Sequence, residues 1–436
     1  VTPSTFRTIP VWLLASKIGS GKTPSGGAKT YLESGVTFLR SQNVHFDGLR
    51  LDDVAFIDRG THAEMRGTKV RPDDVLLNIT GASLGRVARF PANVGAANVN
   101  QHVCIIRPAG GTDPRFLAYA LASQPVQQQI SSMQVGGNRE GLNFEQVGHL
   151  RVPEATYAEQ RRIADFLDAE TARIDRISAA RTSQMTRLDE LVSAEFTETI
   201  VPGSLAHQAG QWPWSWLPDK SEGLKFVRLG YVARLQNGLT VDSKRDVSGD
   251  VVTRPYLRVA NVQAGHLVLD SVTEITVPRA VARRSTLQPG DVLMTEGGDL
   301  DKLGRATVWQ GELEACLHQN HIFAIRPDKR KLDGQYLAYA TQTLHGRCYF
   351  ESTGTKTTNL ASTNSSKIQS FPIPLPSVDR QRQLVRVLQQ KLDRHAEFRG
   401  RLDRQLALLA ERRQALITAA VTGQLDVTTV GRAAAV

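Results

Sequence analysis

The chain is written twice, and that duplication limits its possible folds more than any other feature. FLRSQNV (Phe38–Val44) returns as YLRVANV (Tyr256–Val262), offset by 218 residues. RPDDVLL (Arg71–Leu77) returns as QPGDVLM (Gln288–Met294) at 217, and QHVCIIRP (Gln101–Pro108) as NHIFAIRP (Asn320–Pro327) at 219. FLAYA (Phe116–Ala120) and YLAYA (Tyr336–Ala340) follow at 220, and VPEATYAEQRR (Val152–Arg162) and IPLPSVDRQRQ (Ile373–Gln383) at 221. An offset this steady over half a chain means two copies of one structural unit.

Each copy has two parts. The first, residues 1–154 and 224–376, mixes short apolar β-like runs such as DDVLLNI and HIFAIRP with turns and a single amphipathic helix. That is an α+β head of ordinary domain size. The second part, Tyr157–Val201 and Val378–Val421, contains almost no Gly or Pro. Its apolar residues fall mostly at three- and four-residue steps: Ile163, Leu167, Ile174, Ile177, Met185, Leu188 and Val192, then Leu384, Leu388, Leu392, Leu402, Leu406, Leu409 and Leu416. This spacing predicts a coiled-coil seam, interrupted by Glu170, Arg181, His395 and Arg413. Each helix would reach ~65 Å at 1.5 Å per residue.

The expected order is head 1–154, long helix 155–203, linker 204–223, head 224–376, long helix 377–424 and tail 425–436. If the helices pair between the heads they must run antiparallel. The C-terminus then returns to the first head, with an approximate two-fold axis through the coil.

KIGSGKTPSGG (Lys17–Gly27) looks like a phosphate-binding loop, and it would make the chain an ATPase. The required G-x-x-x-x-G-K-[ST] fails, because Ser16 occupies the place of the first glycine. Pro24 and the glycines after it stop the helix that should follow. In the second copy Gly21 and Thr23 become Gly238 and Thr240, but Lys22 becomes Leu239. The stretch is a turn, and Lys22 is at most a phosphate contact to a polymer.

Bulk properties agree with a soluble, multidomain, cytoplasmic protein. Residues are 41% hydrophobic and 22% charged, and no apolar run approaches the ~18 residues of a membrane span. Cys104, Cys316 and Cys348 are scattered, giving neither a disulfide framework nor a zinc site. A net charge of +10 favours a polyanionic partner, nucleic acid above all.

GKTPS, GLNFEQVGHLRVPEATYAEQRRIADFL and TNSSKIQSFPIPLPSVDRQRQLVRVL, set in this duplicated plan, resemble the DNA specificity subunits of type I restriction-modification systems. The resemblance covers nearly the whole chain. Its most specific element is a polar segment, a β-Pro step and a Q-R pair opening a long helix, all occurring twice. It implies two target-recognition domains, each reading half of a split double-stranded DNA site. It also implies a helical spacer that sets the unread gap and docks two methyltransferase subunits, with restriction subunits joining. The chain itself would be non-catalytic and free of cofactor. S-adenosylmethionine would sit on the methyltransferase, and ATP and magnesium on the restriction subunit. DRQRQ departs slightly from the opening AEQRR, with little expected effect. A scaffold without DNA specificity is the third reading, separable by salt titration against matched and scrambled duplexes.

Candidate DNA contacts follow from residue chemistry and from differences between copies. Arg40 with Asn43, and Arg258 with Asn261, are natural readers of guanine and adenine, although their retention in both copies favours structural work. NITGASLGR (Asn78–Arg86) against TEGGDLDKLGR (Thr295–Arg305) is a loop that differs between heads. It nominates Thr80, Ser83, Arg86, Asp299, Lys302 and Arg305. GGNREG (Gly136–Gly141) against GTKTTN (Gly354–Asn359) adds Asn138, Arg139, Lys356 and Thr357, suited to phosphate. His102 and His321 lack companion ligands and are expected to be core or turn residues. Arg107 and Arg326 are expected to be structural, and the tryptophans of QWPWSWLP (Gln211–Pro218) to belong to a packed linker.

Overall fold

The computed structural model describes residues 6–134, 141–202, 224–240, 249–298, 303–356 and 361–428. These fall into two compact units. One combines the residues up to Arg181 with those from Asp403 onward, and the other is Thr182–Leu402.

In the first unit an antiparallel sheet runs in the order Ala15–Ser20, Val103–Pro108, Val75–Asn78, Val87–Arg89. The second unit repeats it as Ala233–Asn237, Ile322–Pro327, Val292–Thr295, Ala306–Val308. A further sheet in each unit contains one parallel pair, Val36–Leu39 with Ala97–Val99 and Val251–Leu257 with Leu317–His318. Finally, Thr8–Pro10 pairs with Arg151–Pro153, as Phe226–Arg228 pairs with Pro372–Pro374. The short β-Pro steps close each head next to its long helix.

RPDDVLL and QPGDVLM owe their recurrence to one carboxylate each. Asp74 and Asp291 are both 1% exposed. Asp74 accepts 2.8 Å bonds from Arg107 Nε and Nη2 and 2.7 Å from the Arg71 amide. Asp291 accepts 2.7 Å bonds from Arg326 Nε and Nη2 and 2.8 Å from the Gln288 amide. Arg107 and Arg326 are therefore structural, and the bonded carboxylates raise the pKa of both guanidiniums. The turn before each carboxylate needs a positive φ, met by Asp73 at 71° and Gly290 at 97°.

The stretch expected as the single helix of each head is two helices, and each head adds short ones, Arg59–Glu64 and Phe144–His149 in the first and Arg279–Ser285 and Ser365–Ser370 in the second. Pro114–Ala122 breaks before Gln124–Ser132, and Gly334–Gln342 before Leu344–Thr353. Ser123 and Thr343 sit extended at the breaks, and their hydroxyls donate to Ala120 O and Ala340 O. A long-helix threonine accepts the next amide in each unit: Gln124 N–H to Thr418 Oγ1 at 3.0 Å, and Leu344 N–H to Thr197 Oγ1 at 2.8 Å. The long helices thus compensate each break, and in the first head Pro125 itself bars a continuous helix.

The long helices are Tyr157–Ile200 and Val378–Val421. Gln160 and Gln381, both buried, fasten their first turns to the heads. Their Oε1 atoms accept the amides of Asp113 (2.8 Å) and Asp333 (2.9 Å), and their Nε2 groups donate to Ala155 O and Pro376 O. Glu159 adds a cap on Thr156 that the DRQRQ opening lacks.

Within the first unit Ile163, Ala164 and Leu167 share a core with Ile417, Ala420 and Val421, and Asp175 meets Arg413 at 3.4 Å. Within the second, Asp189 pairs with Arg399, and Glu195 with His395 at 3.0 Å. In both, ascending one helix descends the other, as an antiparallel pair requires. Arg413 and His395, which interrupt the seam, are thus paired polar positions. Ile174, Leu188, Leu388 and Leu402 are buried as expected, whereas Ile177 is 39% exposed.

Candidate nucleic-acid interface

Gly21 makes the glycine turn tight for reasons of packing. A Cβ there would lie 1.7 Å from Val99 O, and one on Gly238 would lie 2.1 Å from Gln319 O. Backbone amides that a phosphate would need are already used. Gly21 N–H donates to Val103 O and Lys22 N–H to Val99 O, both at 3.2 Å, and Leu239 N–H donates to His318 O at 2.8 Å. Lys22 is exposed, while Leu239 packs beside Tyr256, Val277 and Leu317. The exchange of lysine for leucine is therefore a change of surface for core.

In each head this turn borders the bases of the two loops that differ between copies, and the structure joins the described stems of those loops. In the first, Thr80 bridges Gly141, Ile79 N–H donates to His102 O, and Leu142 N–H donates to Ile79 O. In the second, Glu296 N–H donates to His321 O, Thr363 N–H donates to Glu296 O, and Gly297–Gly298 pairs with Ala361–Ser362. Thr355–Lys356 extends that ribbon. The backbone plan is common, but the side chains on it are not.

Thr23, Gln101, His102 and Thr80 form a continuous polar chain along the first rim. Thr23 Oγ1 bonds Gln101 Oε1, Gln101 Nε2 lies 3.1 Å from His102 Nε2, and His102 Nδ1 lies 2.6 Å from Thr80 Oγ1. At the second rim His321 Nδ1 instead lies 2.5 Å from Glu296 Oε2. Both histidines sit at turns, and no cluster able to hold a metal occurs among the described residues. Loop Asn78–Arg86 is braced at its base by Asn78 N–H to Arg86 O and Gly85 N–H to Asn78 O, with Gly81–Ser83 as a single 3-10 turn. Ser83 and Arg86 are half-buried on that loop.

Asn43 and Asn261 are corrections. Each is buried, its Oδ1 accepting the amide of Arg40 (2.9 Å) or Arg258 (2.8 Å). The two Nδ2 protons go to Arg50 O and Asp53 O in the first head, and to Val268 O and Ser271 O in the second. With both donors spent inside the turn, these residues cannot read adenine. Arg40 is also occupied, donating from Nη2 to Asp53 O at 3.1 Å. Arg305 lines a groove with Asp189, Phe196 and Gln342, on the long-helix side of its head. Asn138, Arg139, Asp299, Lys302 and Thr357 lie outside the described residues, as do the side chain of Lys356 and the tryptophans of the 204–223 linker.

Three features escaped the sequence. Gln101 is exposed on the rim, and its signal was the polar residue preceding each histidine in both copies. Asn78 is wholly buried, donating to Ser41 O at 2.7 Å and tying the rim loop to the arginine turn. His318 is wholly buried in the second head, bonded to Ile322 O, and burial lowers its pKa. Val99 holds its place in the first copy, so the repeat gave no hint of it.

Two duplicated heads with equivalent, differently furnished polar rims, each fastened to a long helix, define a class of modular recognition protein. The chain belongs to the type I restriction modification DNA specificity domain family, whose model matches residues 62–187 and 221–406. It is 23% identical over 403 residues to the EcoKI specificity subunit of Escherichia coli K12, covering 89% of this chain and 82% of that one. It is 21% identical over 441 residues to the StySPI specificity subunit of Salmonella potsdam, covering 97% and 90%. Among solved structures, a chain described under complex assembly and conformational transition of the type I R-M system matches with a TM-score of 0.69 at 19% identity. That match spans 98% of this chain and 100% of the other. The HsdS subunit of Thermoanaerobacter tengcongensis matches at 0.50 and 19%, over 96% and 97%. Among the described residues no helix is long and apolar enough to cross a membrane.

Proposed function

We propose that this chain reads a split, asymmetric site in double-stranded DNA, one half-site per head, on behalf of catalytic partners. Two methyltransferase subunits carrying S-adenosylmethionine dock on the paired helices, and restriction subunits carrying ATP and magnesium join them. The helices set the unread gap, and the chain contributes recognition without catalysis. The carrying observation is the pair of rims: the same backbone hydrogen bonds, but Thr80–His102 on one head and Glu296–His321 on the other. Equivalent frames with different polar groups suit two different half-sites, approached in inverted orientation if the copies are two-fold related. The net charge of +10 favours the polyanion, and the internally satisfied glycine turns argue against nucleotide binding here.

Head exchange tests the reading. Replacing residues 1–154 by the corresponding domain of a relative, then mapping methylated positions in cells, is expected to change one half of the site. A change in both halves would refute separate reading.

A further inference from the structure

Arg40 and Arg258 occupy the same position in the two heads, but only one is tethered. Arg40 donates from Nη2 to Asp53 O, lies 3.7 Å from Asp53 Oδ1, and sits over the Tyr31 ring at 5.8 Å. Arg258 is exposed, and among the described residues its guanidinium has no hydrogen bond or ion pair. The stapling asparagines identify the cause. Asn43 reaches Asp53 O and Asn261 reaches Ser271 O, both at 3.1 Å, so Ser271 supplies the equivalent carbonyl but not the carboxylate that lies 3.7 Å from Arg40. The backbone around Arg258 is nonetheless fixed. Its amide bonds Asn261, and the next amide, Val259 N–H, reaches Gln319 Oε1 at 3.4 Å. Gln319 pairs with Leu239, so the turn carrying Arg258 adjoins the glycine turn beside the second rim.

We propose that Arg258 is a DNA contact of the second head, released by the serine at 271, and that Arg40 is withheld from DNA by Asp53. The proposal rests on the DNA-reading function above and adds an asymmetry to it. A guanidinium suits either a phosphate or the O6/N7 edge of guanine, and the two leave different signatures.

The test uses the full chain assembled with its methyltransferase subunits, and a labelled duplex carrying the site methylated in cells. Affinity is measured from 50 to 200 mM salt for wild type, Arg258→Ala, Arg40→Ala, Ser271→Asp, Asp53→Ser and the double variant Ser271→Asp/Arg258→Ala. If Arg258 meets a phosphate, its loss lowers the salt slope by about 0.9, so wild type loses about 3.5-fold more affinity than the variant across that range. If it meets guanine, the slope holds and discrimination relaxes at one base pair. Either result supports the contact.

Ser271→Asp is expected to reproduce the Arg258→Ala loss, and the double variant to add nothing further, because the new carboxylate acts through the arginine. Asp53→Ser is expected to raise the slope by less than that loss, because the Arg40 bond to the carbonyl of residue 53 survives, and Arg40→Ala to leave it unchanged. The proposal fails if Arg258→Ala changes neither slope nor discrimination, if Arg40→Ala matches it, or if the Ser271 and Arg258 effects add. Absence of any site-selective binding by the wild-type complex would instead refute the function on which it rests.

Discussion

Removing the buried carboxylate of either head is expected to cost the same amount, because the two copies build the same knot. Asp74→Ala deletes three charge-assisted bonds of 2.7–2.8 Å and leaves Arg107, whose side chain is only 19% exposed, without its counter-ion. Lys17 lies directly across the strand pair from Arg107, so a like charge is left facing it. Asp291→Ala does the same to Arg326, with Arg234 opposite. Breaking a buried pair from one side costs about 3–5 kcal/mol. In units of this size each kcal/mol shifts Tm by about 2–4 °C, so a fall of roughly 6–20 °C is expected for either variant. Differential scanning calorimetry of the full chain measures it. The double variant Asp74→Ala/Arg107→Ala should be less damaging than the sum of its parts, since no orphan charge remains. A loss below about 1 kcal/mol, or losses that differ several-fold between heads, would refute the equivalence of the knots.

Gly21→Ala is expected to destabilise the first unit by at least about 1–3 kcal/mol, because its methyl meets backbone oxygen that cannot move aside. Lys22→Ala should leave stability unchanged and weaken DNA binding at most slightly and for all sequences alike. ATP hydrolysis by the chain that vanished in Lys22→Ala would overturn the turn assignment. Acid should affect the two units differently. His318 and His345 are both almost wholly buried in the second unit, and desolvation holds their pKa below the ordinary value of 6.5. The unfolded chain takes up these protons first, so stability falls as pH drops below about 6.5. Hydrogen exchange at pH 5.5 against 7.5 should show loosening in Ala233–Asn237 before Ala15–Ser20, and equal loosening would count against it.

The duplicated architecture was legible because a repeat needs no knowledge of contacts. Offsets of 217 to 221 marked equivalent strands, and the central four-stranded sheet repeats its order in both heads. Long-helix signals were equally local, resting on spacing and the near-absence of Gly and Pro. The site was read less well. Arg and Asn at matching positions carried the chemistry of base readers, but their hydrogen bonds are decided by carbonyls seven to thirteen residues away. A carboxylate at Asp53, absent at Ser271, distinguishes the paired arginine from the free one, and nothing in FLRSQNV or YLRVANV foretells that. The loops nominated for differing between copies spring from stems that the structure joins in each head, a proximity that the sequence comparison did not carry. The helix break after Ala122 had a local signal in Pro125, whereas the one at Thr343 has no proline and is compensated by a bond to the long helix.

Each head closes its core with the end of the long helix that starts from the other head: Ile417, Ala420 and Val421 complete the first unit, and Phe196, Ile200 and Val201 the second. This has a consequence for biogenesis. About 220 residues separate Arg181 from Asp403, which belong to the same unit. At 5–20 residues per second, a ribosome needs roughly 10–45 s to cover that interval. Throughout it the nascent first unit keeps Ile163, Ala164 and Leu167 without their final partners. The second unit, continuous in sequence, can finish earlier even though its synthesis begins later. The part of the protein made first is thus completed last, and its uncovered apolar flank is the surface that a chaperone would need to guard.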